Sequence, residues 1–151
     1  MWNLKPDERL REWKAFRNQI GQQNLNDACK SVTNLWSYAP YVTHYLDPDR
    51  ASSAVPWPDP WTLLYENYYC DLAKALGMLY ILYLSDHKPL DIELSICVDG
   101  VDRQVYNLVS LAKGKYILNF SFNEVVNKKQ LPKTLTVQHR YGAQDLNLDL
   151  Y

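Results

Sequence analysis

The chain has 151 residues, of which 47% are hydrophobic and 22% charged, a composition typical of a globular protein rather than of a disordered or fibrous one. A chain of this length buries roughly 70% of the surface that its unfolded form exposes, so we expect one domain over residues 1–151 that needs no metal, disulfide or cofactor to fold. Sixteen Lys and Arg against 17 Asp and Glu leave a net charge of -1, which excludes general binding of nucleic acid through a cationic excess, and we expect no direct sequence-specific contact with nucleic acid.

The first part of the chain, residues 1–45, is predicted to be helical. Pro6 and the two acidic residues after it start an amphipathic helix that ends near Gly21, because proline suits the first helical turn and acidic side chains favour the positive end of the helix dipole. A second helix is predicted from Asn26 or Asp27 to Tyr38. The charged N-terminus lacks the apolar run of a signal peptide, and no apolar segment approaches about 18 uninterrupted residues, so we expect a cytoplasmic protein that does not enter membranes.

Residues 46–60 form a loop, because their repeated prolines exclude a continuous helix or a central strand. Trp57 and Trp61 bracket the last two of these prolines. Rigid segments of proline and aromatic residues usually pack on the surface of their own domain, and they can also form an epitope for a partner. We expect packing, with the epitope as the alternative.

The remaining part, residues 61–151, is predicted to contain a buried helix and a sheet. The segment from Tyr68 to Ser85 is apolar on almost every side, which is typical of a central helix. Alternating apolar residues predict a strand from Leu90 to Val98, and the runs QVYNLVSLA and KYILNFSF predict a hairpin after it. The run KTLTVQHRY predicts a fourth strand, and the alternating C-terminal run DLNLDLY is expected to close the sheet or pair with a neighbouring molecule. Helices followed by strands predict an α+β fold, in which N-terminal helices and a central buried helix pack on a C-terminal antiparallel sheet of about four strands.

Cys70 lies at the start of the predicted central helix, where backbone N–H groups and the helix dipole stabilise a thiolate. A nucleophilic cysteine is often placed in this way, although simple packing of a buried cysteine is the alternative. The other two cysteines are Cys29 and Cys97. Because the three lack the spacing of a zinc site or a disulfide framework, we expect a reducing compartment and no metal.

The central part of the chain resembles the transglutaminase-like branch of the papain-like cysteine-enzyme superfamily. The stretch CDLA from Cys70 resembles the start of the family's nucleophile helix, the stretch QVYNLV from Gln104 resembles its His-Ala-Trp-Asn-x-Val strand, and the stretch GKYILNFSF from Gly114 resembles its Gly-Lys-Trp-x-x-x-Asp-Pro-Thr-Trp/Phe strand. The match extends from Pro56 to Val125. The resemblance implies a cysteine nucleophile on a helix and a His and an Asp on two later strands.

Two of the three positions implied by the resemblance are changed. Gln104 replaces the general base and Asn119 replaces the orienting aspartate, and a neutral amide cannot take a proton from a thiol at pH 7. We therefore expect no catalytic residues and no enzymatic activity. The alternative is a small cysteine hydrolase or acyltransferase in which Cys70 works with a displaced histidine, either His139 or His44.

A third histidine, His87, is excluded as that base because the predicted helix places it about 25 Å from Cys70 along the axis. Four tyrosines are expected around the cleft that the resemblance implies, where they would bind a peptide or a neighbouring molecule or simply pack in the core. These are Tyr68, Tyr69, Tyr106 and Tyr116.

The leading hypothesis is a non-enzymatic structural or adaptor subunit that binds copies of itself or other subunits of an assembly. The small chain also resembles proteins of tailed bacteriophages, which would make it a neck, tail or baseplate component of a virion. A third hypothesis is an inhibitor that binds a host enzyme. The candidate partner-binding residues are Trp2, Trp13, Trp57, Trp61, Leu146, Leu148, Leu150 and Tyr151.

Overall fold

Four α-helices and a four-stranded antiparallel sheet make up the computed structural model, which describes all residues from 1 to 151. The helices are α1 (Pro6–Gly21), α2 (Leu25–Ser37), α3 (Pro60–Glu66) and α4 (Asp71–Tyr83). The strands are β1 (Glu93–Asp99), β2 (Val105–Leu111), β3 (Tyr116–Leu118) and β4 (Leu135–Gly142), with short 3-10 turns at Lys128–Gln130 and Leu148–Leu150. This arrangement confirms the predicted α+β fold. None of the helices combines the length and the apolar character needed to cross a membrane.

The helix α3 was not predicted, although its start is visible in the sequence. The side chain of Asp59 accepts a hydrogen bond from the backbone N–H of Thr62, and Pro60 occupies the first turn. These are standard features of a helix N-terminus. The proline-rich loop therefore ends in a helix whose last residues are held by the buried side chain of Arg9.

The helix α4 is the centre of the molecule, as predicted. Eleven of its 13 residues are buried, and it packs on α2, α3, β1 and β2. Gly77 makes the closest approach, since a Cβ atom at this position would lie 2.2 Å from the indole ring of Trp36. The absence of a side chain at Gly77 thus allows α2 and α4 to pack directly against each other.

The strand order in the sheet is β3-β2-β1-β4, so β4 lies beside β1 rather than beside β3. Ile96 of β1 is opposite both Asn107 of β2 and His139 of β4. Directly opposed residues share one face of a sheet, and Ile96 belongs to the main core under the helices. Asn107, Ile96 and His139 therefore form one row of side chains across the helix-covered face. The opposite face carries a smaller apolar cluster that includes Cys97 and Leu108.

Two predicted strands differ in the structure. The run after Lys115 stops at Leu118, because Asn119 has a left-handed backbone with φ 68°. The C-terminal run is not a strand, and the expectation that it closes the sheet or pairs with a neighbour is wrong. Asn147 is also left-handed, with φ 56°, and the chain turns into the last 3-10 turn and buries Leu146 and Leu148 in the core.

Candidate functional site

Cys70 is the residue immediately before α4, as the sequence predicts. Its backbone is extended, with φ -73° and ψ 174°, and its side chain makes no capping hydrogen bond. The residue is 6% exposed. The Cys70 side chain therefore accepts no hydrogen bond from the N–H groups of the first turn of α4. Free N–H groups at the start of a helix favour the thiolate form of a neighbouring cysteine.

A cluster of three polar side chains lies next to Cys70. The amide Nδ2 of Asn107 donates a hydrogen bond of 2.7 Å to Oδ2 of Asp71, the first residue of α4. The amide of Asn119 donates to the main-chain carbonyl of Asn107 at 2.9 Å and to Oδ1 of Asp71 at 3.4 Å. The cluster ties the start of α4 to β2 and to the residue that follows β3.

The structure places Gln104 away from this cluster. Gln104 is exposed just before β2, and its Oε1 accepts a hydrogen bond of 3.2 Å from the hydroxyl of Tyr106. Tyr106 packs with the apolar cluster on the face that points away from the helices. Asn107, which sequence reasoning missed, is the β2 residue that faces α4. The sequence contains a signal for this position. Alternate residues of a strand point to the same face, so Asn107 points to the buried face together with Val109 and Leu111.

Tyr45, Glu66 and Tyr68 form a second group of side chains in the segments that precede Cys70. The hydroxyl of Tyr45 donates a hydrogen bond to the carboxylate of Glu66, and the rings of Tyr45 and Tyr68 lie 6.1 Å apart. Burial and the hydrogen bond to Glu66 raise the pKa of Tyr45.

The three histidines differ in their relation to Cys70. The Nε2 atom of His87 lies 2.8 Å from the carbonyl of Ile20, beyond the C-terminal end of α4, and His44 is exposed. His139 shares the helix-covered face of the sheet with Asn107, and two strand spacings of about 4.8 Å separate their backbones by about 10 Å. None of the three forms a hydrogen bond with the thiol.

The imidazole of His139 stacks on the ring of Tyr141. The ring centres are 6.1 Å apart, with an interplanar angle of 15°. Tyr141 itself is anchored to the proline-rich loop, because its hydroxyl donates a hydrogen bond of 3.0 Å to the carbonyl of Pro48.

The four tyrosines expected around the cleft do not come together. Tyr69 is buried against Trp2 and Trp36, and Tyr106 lies on the other face of the sheet. Tyr116 is half-buried beneath the ammonium of Lys115, so only Tyr68 lies at the site. The expectation of a tyrosine-lined cleft from these four residues is wrong, because β2 and β3 point alternate side chains to opposite faces.

Most of the candidate partner-binding residues are inside the domain. Trp13, Trp57, Leu146 and Leu148 are buried, and Trp2 packs on Trp36 and Tyr69. The indole N–H of Trp57 donates to the carbonyl of Asp47, as expected for a proline-rich loop that packs on its own domain. The exposed members are Trp61, Leu150 and Tyr151. No group of three His, Cys, Asp or Glu residues could hold a metal ion.

The fold, a buried helix that packs with other helices on an antiparallel sheet, is similar to that of solved structures of LapG from Legionella pneumophila, a cysteine protease. EGTA-treated LapG matches with a TM-score of 0.71 at 15% identity, covering 91% of this chain and 74% of LapG. A second LapG structure matches with a TM-score of 0.68 at 13% identity over 91% and 76%, and calcium-bound LapG with 0.65 at 13% over 93% and 78%. No family model and no curated protein matches the chain.

The comparison corrects the expectation that the chain is not an enzyme. That expectation rested on Gln104 and Asn119, whereas the solved structures that share the fold are those of LapG, a cysteine protease. At 13–15% identity the likeness concerns the fold alone, so it gives the architecture and not the reaction. The comparisons give no support to the resemblance to bacteriophage proteins or to a virion role.

Proposed function

We propose that the chain is a small cysteine hydrolase or acyltransferase in which Cys70 is the nucleophile and His139 the displaced base. The observation that carries the proposal is the position of Cys70 at the start of the buried helix α4. Free N–H groups of the first helical turn stabilise a thiolate at this point, and they also stabilise the oxyanion that forms when the thiolate attacks a carbonyl.

The chemistry needs one base, which takes the thiol proton and later gives it to the leaving group. His139 fits this role better than His44, because it is half-buried on the sheet face that the helices cover and stacks on Tyr141, whereas His44 is exposed. The thiolate attacks a substrate carbonyl, the amine or alcohol leaves with the proton from the imidazole, and water or a second nucleophile releases the acyl group from sulfur. For this role the imidazole has to come within hydrogen-bond reach of the thiol or of the leaving group when substrate binds.

The polar cluster has a positioning role in this proposal. Asp71 follows the nucleophile directly, and its hydrogen bonds to Asn107 and Asn119 fix the start of α4 on the sheet. A neutral amide at Asn107 supports the carboxylate of Asp71 without competing for the thiol proton. In this proposal the imidazole of His139 carries out the acid–base chemistry.

The test is the pH dependence of iodoacetamide labelling, read for each cysteine by mass spectrometry. Burial raises the pKa of Cys29 to about 12 and raises that of Cys97, so these two thiols are unreactive internal references. We expect Cys70 to be labelled much faster than Cys29 and Cys97. His139→Gln should slow the labelling of Cys70, whereas the matched His87→Gln variant should leave its rate unchanged.

Two results would contradict the proposal. A Cys70 thiol as inert as Cys29 would exclude a nucleophile, and labelling that is unaffected by His139→Gln would exclude this base. Slower labelling of Cys70 in His44→Gln instead would assign the base to His44. A burst of p-nitrophenol from p-nitrophenyl acetate, lost in Cys70→Ser, would show that the thiol carries the acyl group.

A further inference from the structure

Exposed aromatic side chains occur in the chain segments that lie next to the start of α4. Tyr38, Tyr41, Tyr68 and Phe122 are 61%, 62%, 56% and 66% exposed, and we refer to them as the aromatic rim. Single exposed apolar residues are normal on protein surfaces, whereas several at one place are typical of a binding site. Aromatic side chains also carry much of the energy of polypeptide recognition.

One half of the aromatic rim is connected to Cys70 through the neighbouring backbone. Tyr41 forms a parallel bridge with Tyr69, the residue before Cys70, and Tyr68 precedes that residue. The ammonium of Lys74, one helical turn after Cys70, lies 5.8 Å from the centre of the Tyr41 ring. Tyr41 and Tyr68 are therefore fixed close to the candidate nucleophile.

The other half of the aromatic rim is connected through the polar cluster. Phe122 lies three residues after Asn119, whose amide is bonded to Asp71. The ring of Phe122 contacts that of Tyr38 edge to face at 5.2 Å. The backbone N–H of Asn123 donates to the hydroxyl of Ser37 at 3.0 Å and holds the two segments together.

The backbone beside the aromatic rim has free hydrogen-bonding groups. The N–H of Val42 donates to the carbonyl of Tyr69 at 3.1 Å, and the following residues Thr43, His44 and Tyr45 make no backbone hydrogen bond within the protein. An extended peptide can add its own backbone to such a segment, and its alternate side chains then enter neighbouring pockets.

We propose that the aromatic rim and residues 43–45 bind an extended polypeptide that carries an aromatic or large apolar side chain next to the bond presented to Cys70. The part of this inference that concerns the reaction at Cys70 rests on the proposed function. The part that concerns peptide binding rests on the surface alone. Charge does not set the preference, because Glu66, Asp71 and Lys74 place both signs at the site. Edge-to-face contacts between aromatic rings contribute about 0.5–1.5 kcal/mol each beyond their burial, which favours a ring over a small polar side chain.

The test uses the full chain with Cys70→Ser, which removes the proposed nucleophile and places a good helix N-cap residue before α4. Binding of the fluorescein-labelled peptides Gly-Gly-Phe-Gly-Gly-Gly and Gly-Gly-Ser-Gly-Gly-Gly is measured by fluorescence anisotropy. We expect the Phe peptide to bind about tenfold or more tightly than the Ser peptide. Adding Tyr41→Ser or Phe122→Ser should remove this preference, whereas adding Leu150→Ser, at a residue that is 80% exposed elsewhere, should leave it unchanged.

Equal binding of the two peptides, or no binding of either up to millimolar concentration, would overturn the inference. An equal loss of preference in the Leu150→Ser control would also overturn it. The wild-type chain is then incubated with the Phe peptide, and products are sought by mass spectrometry. Selective binding without cleavage would support the aromatic rim and count against the proposed reaction, so the two failures are distinguishable.

Discussion

Asp71 and Asn107 are joined by a 2.7 Å hydrogen bond that links the first residue of α4 to the middle of β2. Asn107 is 7% exposed, so this bond lies at the edge of the core and directly beside Cys70. The β2 residue that faces the nucleophile helix is therefore a neutral amide bound to a carboxylate. A proton acceptor for the thiol has to come from another strand or loop, which is why the proposed base is a displaced histidine.

Replacing Asn107 by Asp places a second carboxylate against Asp71 and removes the donor. We expect Asn107→Asp to lower the free energy of unfolding at pH 7 by about 1–3 kcal/mol, because the two charges repel and the hydrogen bond is lost. The loss should shrink near pH 4, where one carboxyl group is protonated and donates to the other. Urea unfolding at both pH values measures this, with the exposed Asn123→Asp as control. A larger loss at the lower pH would contradict the account.

Arg9 is a buried cation that forms no ion pair and binds three main-chain carbonyls. Its guanidinium donates to Leu64 at 2.6 Å, to Tyr65 at 2.8 Å and to Leu4 at 2.6 Å, two of them at the C-terminal end of α3. Arg9→Met should cost about 3 kcal/mol of unfolding free energy, because three acceptors lose a charged donor. Arg11→Met, on the exposed side of the same helix, should change it by less than about 0.5 kcal/mol. Similar denaturation midpoints for the two variants would exclude a role of Arg9 in holding α3.

The sequence predicted those helices and strands in which the pattern of apolar residues matches the side chains that are buried in the structure. The strands β1 and β2 followed from the alternation of apolar residues, α4 from a segment that is apolar on almost every side, and α1 from its proline and acidic residues at the N-terminus. The C-terminal run failed because its alternation of Leu146 and Leu148 looks like a strand, whereas the left-handed Asn147 turns the chain between them. A pattern of side chains does not reveal a local backbone reversal at an asparagine, which tolerates this conformation better than most residues.

The candidate site was predicted in part for a similar reason. Cys70 followed from its place before an apolar run, but the facing residue depends on the face to which each β2 side chain points. The motif resemblance assigned the position of the base to Gln104, whereas the structure places Gln104 beside Tyr106 and places Asn107 next to α4. The row that contains His139 depends on the strand order, in which β4 joins β1, and no local pattern encodes that choice.

Gly77 is expected to be intolerant of even a methyl group. In a solvent-exposed helix Gly→Ala gains about 1 kcal/mol, but here the new Cβ would lie 2.2 Å from the Trp36 ring. We expect Gly77→Ala to destabilise the protein by about 1–3 kcal/mol, because the indole or the helix must move. In a Trp36→Leu background the same change should be neutral or stabilising. A double-mutant cycle measured by thermal unfolding tests this, and additive effects of the two changes would contradict the proposed clash.

Asp99 makes the stability of the hairpin between β1 and β2 depend on pH. The backbone N–H of Val101 donates to its carboxylate at 2.8 Å and the hydroxyl of Thr134 donates at 2.9 Å, and these bonds hold the pKa of Asp99 below its ordinary value. Because the folded-state pKa is the lower one, the stabilisation is complete above the unfolded-state pKa of about 3.9 and is lost as the pH falls through the folded-state pKa. Asp99→Asn should therefore be less stable than the wild type at pH 6, and the difference should shrink steadily below about pH 4. Urea unfolding between pH 6 and 2.5 measures the difference, with the exposed Glu12→Gln as the matched control. A difference that stays constant over this range would show that the Asp99 hydrogen bonds do not require the ionised carboxylate.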